Sequence, residues 1–294
     1  MDKKQIIVLL LKICAFLVFA GRAYQFYFFG APFRAFFWDE AQLAPIIESL
    51  SNYSWYEYAT SSIVNLWIQN FIKTCSFLLL LVAHVCLFWD QIKSHVLKKI
   101  AASIGLVILL LLGLSMVKGR SYGIVQFFEL SSQIAICLVF FLNNDISKID
   151  EKKLVFWLKV AVAFTFISHG VFATGLFYLP GHFIDMTIQI LHVNETQAKL
   201  FLNVVGVVDI LVSLLLFILK ETKYVLMYLI AWGLLTAMAR LISGFNQNFI
   251  LESFHNYTYL VVYRLPHGLI PLIIFFFLTK NSLKLVTNEN KISN

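Results

Sequence analysis

The chain has 294 residues, of which 60 % are hydrophobic and 13 % are charged. Its mean hydropathy of +0.81 exceeds that of an ordinary soluble domain. The net charge of +7 comes mainly from lysines that flank apolar segments, so it does not indicate a surface that binds nucleic acid. The four cysteines fall inside apolar segments without a C-x-x-C pair, which favours packing over thiol redox chemistry or zinc binding.

Eight apolar segments follow one another, and each is long enough to cross a hydrocarbon layer about 30 Å thick. They predict an all-α, polytopic integral membrane protein with little soluble mass on either side. Lys12 interrupts the first segment, which argues against a cleaved signal peptide. The predicted spans are 6–29, 63–89, 100–117, 121–142, 154–178, 200–219, 224–243 and 257–279.

The basic residues between these segments predict the orientation. If the N-terminus is cytoplasmic, the outer loops hold only Arg34, Lys118, Arg120 and Lys199. Such an asymmetry is the positive-inside pattern. We therefore expect a multi-pass protein of a bacterial inner (plasma) membrane with both termini in the cytoplasm. The cytoplasmic segments then hold Lys3, Lys4, Lys93, Lys98, Lys99, Lys148, Lys152, Lys153, Lys220, Lys223, Lys280, Lys284 and Lys291.

The stretch FFGAPFRAFFWDE at 28–40 places charged residues among aromatics at the outer end of the first span. Pro32 lacks a backbone donor and favours a helix end there. The aromatic side chains, Trp38 among them, are suited to the membrane interface. The next residues, AQLAPIIESL, predict a surface helix that Asp39 and Glu40 cap, unless these acids instead offer a counter-charge to Arg34.

Two pairs of stretches indicate that a four-helix unit occurs twice. LKICAFLVFAGRAYQFYFFGAPFRAFFWDE, from residue 11, matches LKVAVAFTFISHGVFATGLFYLPGHFIDM, from residue 158, and Arg22 then pairs with His169. VQFFELSSQIAICLVFFL at 125–142 aligns without gaps on VVYRLPHGLIPLIIFFFL at 261–278.

The two matches occur in the same order, which predicts a tandem duplication with repeats over 1–147 and 148–294. Each repeat has an even number of spans, so both enter the membrane from the same side. We therefore predict eight transmembrane helices as two parallel four-helix repeats, related by an axis along the membrane normal.

These motifs resemble the DoxX/DoxD-like group of four-helix membrane proteins, here duplicated. The resemblance rests on AGR at 20–22 and SHG at 168–170, each followed by a proline-containing stretch. FISHGVFATGLF and AKLFLNVVGVVDILVSLLL in the second half fit best, whereas the long 30–62 loop is a departure. The resemblance implies an accessory protein without independent activity or, if the chain takes part in catalysis, a membrane subunit of a quinone-linked oxidoreductase.

All five arginines fall in the outer half or the outer loops, whereas the cytoplasmic bases are lysines. The planar guanidinium suits buried carboxylate, phosphate or sulfur oxyanions. At about 1.5 Å per residue, Glu129, Arg264 and His267 lie at similar depth, and Arg22 and His169 reach the same layer. Ionised groups in a bilayer cost several kcal/mol unless paired or wetted, so these groups should face one another.

The sequence thus predicts an outward-facing polar pocket with a positive surplus, suited to a quinone or an anionic lipid-like ligand. Two alternatives stay open: structural ion pairs that hold the two bundles together, and a packing surface for another subunit. No catalytic residue or metal ligand is assigned. The predicted ligand-binding residues are Arg22, Arg34, Glu129, His169, His182, Asp209, Arg240, Arg264 and His267.

His169 and His267 share one layer, which is the arrangement of a haem held by two histidines in a helical bundle. There is no second histidine pair, and arginines lie beside both histidines. We therefore expect no haem. No cofactor is predicted, and a quinone is the cofactor class that the pocket would suit.

Three functions follow from these observations. The first is a membrane-embedded binding or redox-accessory protein, and the second is a structural subunit of a larger membrane complex. The third is a small-anion transporter, which the nearly charge-free cytoplasmic halves of most spans disfavour. The expected partners are the lipid bilayer and other membrane-complex subunits, not nucleic acid.

Overall fold

A computed structural model describes residues 3–121 and 123–278. Within those ranges all regular structure is helical. Lys280, Lys284 and Lys291 of the orientation argument lie outside the described residues, as does the end of the last predicted span. The helices are α1 (Lys3–Phe29), α2 (Arg34–Phe37), α3 (Glu40–Leu50), α4 (Trp55–Thr60), α5 (Ser62–Leu87), α6 (His95–Gly119), α7 (Val125–Phe128), α8 (Ser131–Leu142), α9 (Glu151–Thr174), α10 (Gly181–Leu191), α11 (Glu195–Ile218), α12 (Lys223–Gly244), α13 (Ile250–Val262) and α14 (266–278).

Seven helical segments of the described chain are long and apolar enough to cross a membrane. They correspond to seven of the eight predicted spans, and the protein is accordingly a multi-pass helical membrane protein. The remaining predicted span, 121–142, is interrupted at Glu129 and Leu130, which leaves α8 as an apolar helix of 12 residues. A shorter interruption at 263–265 separates α13 from α14.

The helices pack in the same pairs in both halves. The two most extensive contacts join α1 to α5 and α9 to α11, and α6 packs on α7 as α12 packs on α13. The halves meet where α1 packs on α13 and where α8 packs on α9. The first helix of each half therefore packs on one of the two helices that make up the last, interrupted segment of the other half.

Glycines permit the closest of these approaches. A Cβ at Gly206 of α11 would lie 2.7 Å from the Gly170 carbonyl oxygen of α9, and one at Gly233 of α12 would lie 2.7 Å from the backbone of His267. Neither backbone can give way as a flexible side chain would. These contacts fix the walls of the second half against one another.

The loops at 30–61 and 175–194 lie at one end of the bundle, called the loop end below. α1 stops at Phe29, and Gly30 takes a φ of 79°, which agrees with the helix end predicted before Pro32. The expected surface helix is α3, and the Asp39 side chain accepts a hydrogen bond from the Gln42 amide at its start. Asp39 therefore caps the helix, and its ion pair is with Lys118 of α6 rather than with Arg34.

The ion pair between Asp39 and Lys118 predicts a pH-dependent stability of the loop end. The hydrogen bond from Lys118 holds the pKa of Asp39 below its usual range. A lowered carboxyl pKa stabilises the fold above the unfolded-state value of about 3.9, and the stabilisation disappears as the pH falls through the lowered folded-state value. Asp39→Asn should thus lower the thermal unfolding midpoint at pH 7, and the difference from the wild type should shrink as the pH falls below about 3.9.

Asp185→Asn is the matched control, because Asp185 is an exposed loop-end acid. It should match the wild type at every pH. A difference between wild type and Asp39→Asn that does not shrink as the pH is lowered would contradict the assignment.

Candidate ligand-binding cavity

A cavity of about 350 Å³ lies within the second half, between α9, α10, α11, α12 and the start of α14. Its walls are largely apolar, with Phe166, Phe183 and Met186 among the lining side chains. Phe201 and Leu235 also line it and are 38 % and 60 % exposed on the surface of the bundle. In a membrane, this side of the cavity would therefore adjoin lipid.

The cavity collects several of the predicted site residues. His169 comes from α9, Asp209 from α11 and Arg240 from α12, while Arg264 and His267 flank the start of α14. The His169 and His267 rings contact each other edge to face, with centroids 5.5 Å apart. Five of the nine predicted ligand-binding residues, from four separate segments, therefore line one cavity.

Two buried nitrogen atoms at this cavity have no hydrogen-bond partner among the residues that the structure describes. They are the Nε atom of Arg240 and the Nε2 atom of His267, a residue that is 4 % exposed. A buried polar atom without a partner costs roughly 1–3 kcal/mol. Arg240 Nε always carries a hydrogen and therefore favours an acceptor oxygen inside the cavity, as His267 would in the tautomer with its hydrogen on Nε2.

Asp209, an acid that lines the cavity, already has hydrogen-bond partners. Asp209 is 3 % exposed, and its carboxylate accepts hydrogen bonds from Tyr228 Oη at 2.9 Å and from Trp232 Nε1 at 3.2 Å. Both donors lie on α12, so Asp209 ties α11 to that helix. It forms no ion pair with Arg240 or Arg264 among the described residues.

Arg22 lies outside the cavity lining and has hydrogen-bond partners on two helices. Its Nε donates to Gln133 Oε1 at 2.9 Å and its Nη1 to Gln25 Oε1 at 2.7 Å. Its guanidinium lies 3.8 Å from the centroid of the Tyr263 ring. Arg22 therefore joins α1 to α8 and to the segment before α14.

Glu129 supplies the nearest negative charge to Arg264. The Nη2 atom of Arg264 lies 3.8 Å from Glu129 Oε1, which is a long ion pair. Arg264 Nη1 also donates to Tyr263 Oη at 2.5 Å. Since Glu129 sits at the interruption between α7 and α8, this pair joins the two interrupted helices across the halves.

The two remaining predicted residues lie elsewhere. Arg34 donates to Asn65 Oδ1 at 2.7 Å and stacks on Trp38, at a second cavity in the first half. Among the described residues, Arg34 forms no hydrogen bond with Arg22 and no hydrogen bond or ion pair with Glu129. His182 is exposed on α10 and packs against the Phe183 ring, at 4.8 Å between centroids.

Sequence reasoning missed Gln133, Tyr228, Trp232 and Tyr263. Gln133 is four residues after Glu129 and could have been found from that helical spacing. Tyr228 and Trp232 show the same spacing on α12, but nothing in the sequence pairs them with Asp209. Their side chains are uncharged, and aromatic residues are frequent throughout this chain, so the sequence does not single them out as hydrogen-bond donors to a buried acid.

Comparison with protein-family models, with curated proteins and with solved structures finds no match for this chain. Among the described residues, no group of three or more His, Cys, Asp or Glu side chains has the arrangement to hold a metal ion.

Proposed function

We propose that the protein is a membrane-embedded binding protein or accessory subunit that holds an amphipathic ligand in the second-half cavity. One observation carries the proposal: an apolar cavity of about 350 Å³ contains two buried nitrogen atoms that lack a hydrogen-bond partner among the described residues, Arg240 Nε and His267 Nε2. The apolar walls suit a hydrocarbon or isoprenoid portion, and the nitrogen atoms suit an oxygen at its end.

Two ligand chemistries meet these requirements. A quinone offers neutral carbonyl oxygens to Arg240 and, in the tautomer with its hydrogen on Nε2, to His267, and an anionic lipid-like molecule offers a carboxylate or phosphate oxygen. Arg240, which forms no ion pair among the described residues, adds positive charge that favours the anionic ligand. The quinone is supported by the resemblance to the DoxX/DoxD-like group, and that family assignment is itself a proposal.

Within this proposal the polar residues have two roles. Arg240, His267 and His169 would contact the ligand, because they line the cavity. Arg22 and Glu129 would hold the two halves together through their contacts with Tyr263 and Arg264. Those contacts favour ion-pair assembly as the second function, in which the chain is a structural subunit of a larger membrane complex. A small-anion transporter is not favoured, because the cavity walls are apolar.

We further propose that 121–142 crosses the membrane as an eighth, interrupted span and that the halves are parallel repeats. α8 packs on α1, α6 and α9, as a spanning segment would. The equivalent helix pairs in each half support the duplication, as do the interruptions before α8 and before α14, which fall at nearly equivalent positions. The location in a bacterial inner membrane, with both termini cytoplasmic, rests on the lysine asymmetry.

The fluorescence of Trp232 offers a direct test. Trp232 lines the cavity, and quinones quench indole fluorescence on contact. We expect saturable quenching when purified protein is titrated with a quinone that has a ten-carbon tail. A ten-carbon fatty acid should compete if the site also takes carboxylates.

Two variants separate cavity binding from general partitioning into the detergent. Trp232→Phe should lose the saturable component, whereas Trp157→Phe should keep it, because Trp157 is 63 % exposed on α9 and does not line the cavity. Quenching that fails to saturate and is the same in both variants would remove the support for the cavity as a ligand site.

A further inference from the structure

The first half contains a second cavity at the loop end, and its lining differs from that of the first. It has a volume of about 710 Å³ and lies between the end of α1, the residues that follow it, and α5. Polar and basic side chains line it, including Gln25, Arg34, Gln69 and Lys73. Neither the binding proposal for the second half nor the resemblance accounts for Gln69 and Lys73.

The helical spacing of α5 builds one side of this cavity. Asn65, Gln69 and Lys73 succeed one another at intervals of four residues, which places them along one face of the helix. Gln69 and Lys73 are exposed, and Asn65 accepts the hydrogen bond from Arg34. A polar stripe therefore runs down a helix that is otherwise apolar enough to span a membrane.

Lys73 is the unusual member of this stripe. It lies about three turns into α5, where a charged group costs several kcal/mol unless it is paired or wetted. Its ammonium lies 5.7 Å from the centroid of the Tyr27 ring, and no carboxylate among the described residues lies within ion-pair distance of it.

Three of the four acids of the adjacent loop are already engaged. Asp39 pairs with Lys118, and the Glu57 carboxylate accepts hydrogen bonds from the amide and hydroxyl of Ser54. Glu48 accepts a hydrogen bond from the Trp55 amide. The fourth, Glu40, is exposed and forms no ion pair with Arg34 or Lys73 among the described residues, so no loop acid supplies their counter-charge.

The surface below the stripe is apolar. Phe77 and Leu80 lie one and two turns beyond Lys73 on the same side of α5, and they are 61 % and 41 % exposed. The groove is thus polar and basic towards the loop end and apolar further into the span. A membrane phospholipid in that leaflet has the same polarity profile.

We infer that this groove binds the phosphate head group of an anionic membrane lipid. Arg34 and Lys73 supply the positive charge, Gln25 and Gln69 supply amide donors, and Phe77 and Leu80 contact an acyl chain. The site is separate from the second-half cavity. It would hold a lipid even if that cavity held no ligand.

Native mass spectrometry of protein released from mixed micelles tests the inference. The wild type should retain phosphatidylglycerol in preference to phosphatidylcholine, and Lys73→Gln should reduce that retention about fivefold, which corresponds to one basic side chain near an anionic lipid surface. Lys73→Arg should restore it. Lys199→Gln is the matched control, because Lys199 is an exposed lysine at the loop end that pairs with Glu195, and it should match the wild type.

Two further measurements show which site holds the lipid and whether the bound phosphate belongs to a lipid or to a free phosphate compound. Arg240→Leu should leave the phosphatidylglycerol signal that depends on Lys73 unchanged, which separates this site from the proposed ligand cavity. Glycerol phosphate should not displace the lipid, because it lacks acyl chains. Equal retention by wild type and Lys73→Gln, or displacement by glycerol phosphate, would overturn the inference.

Discussion

Replacing Arg240 by leucine is expected to weaken ligand binding about 30-fold while leaving the fold intact. Arg240 lines the cavity, and its Nε has no partner in the described chain, so the substitution breaks no hydrogen bond of that atom. Loss of a charged donor to a ligand oxygen costs about 2 kcal/mol, which corresponds to that factor. Titration of Trp232 fluorescence measures binding, and thermal unfolding measures the fold.

Arg120→Leu is the control for Arg240→Leu. Arg120 is an exposed arginine at the loop end that donates to Tyr178 outside the cavity. It should bind the ligand as the wild type does. If Arg240→Leu unfolded readily and lost binding only together with stability, Arg240 would be a structural residue.

Replacing Arg22 by leucine is expected to have the opposite effect. The substitution removes hydrogen bonds to Gln133 and Gln25 and the stacking on Tyr263, all in a buried environment. Since a charged donor contributes about 1.5–3 kcal/mol for each such bond, the free energy of unfolding should fall by about 3 kcal/mol. Thermal unfolding and the yield of monodisperse protein in detergent should both decline.

Arg22→Lys tests how specific this contact is. The ammonium cannot reproduce the forked donation to two amides, so the variant should recover only part of the lost stability. Full stability in Arg22→Leu, with ligand binding lost, would mean that Arg22 belongs to the binding site instead.

Much of the helical architecture could be predicted from the sequence because length and hydropathy determine it. Seven of the predicted spans coincide with helices that are long enough to cross a membrane, and the helix end near Pro32 and the cap by Asp39 are also as predicted. The hydropathy of 121–142 gave no sign of the interruption at Glu129 and Leu130, because a tilted or interrupted segment is as apolar as a straight one.

The site was predictable in part. A charged or polar side chain inside a bilayer is costly unless it has a partner, so such groups in adjacent spans tend to face one another. This explains why Arg240, His169 and His267 meet at one cavity. The depth of a residue in the membrane, estimated from its position along a span, does not determine which residues at that depth contact one another. For this reason the sequence could not separate Arg22, whose partners are neutral amides, from Arg240, nor place Arg34 at the cavity of the first half.

A density map of the protein purified in a lipid nanodisc tests the binding proposal most directly. It should contain elongated density in the second-half cavity, with one end within hydrogen-bond distance of Arg240 Nε and His267 Nε2. The same preparation of Arg240→Leu should lack that density while keeping the helices in place. A wild-type cavity that is empty, or closed by a shift of α10 or α12, would contradict the proposal and leave assembly through Arg22 and Glu129 as the function to pursue.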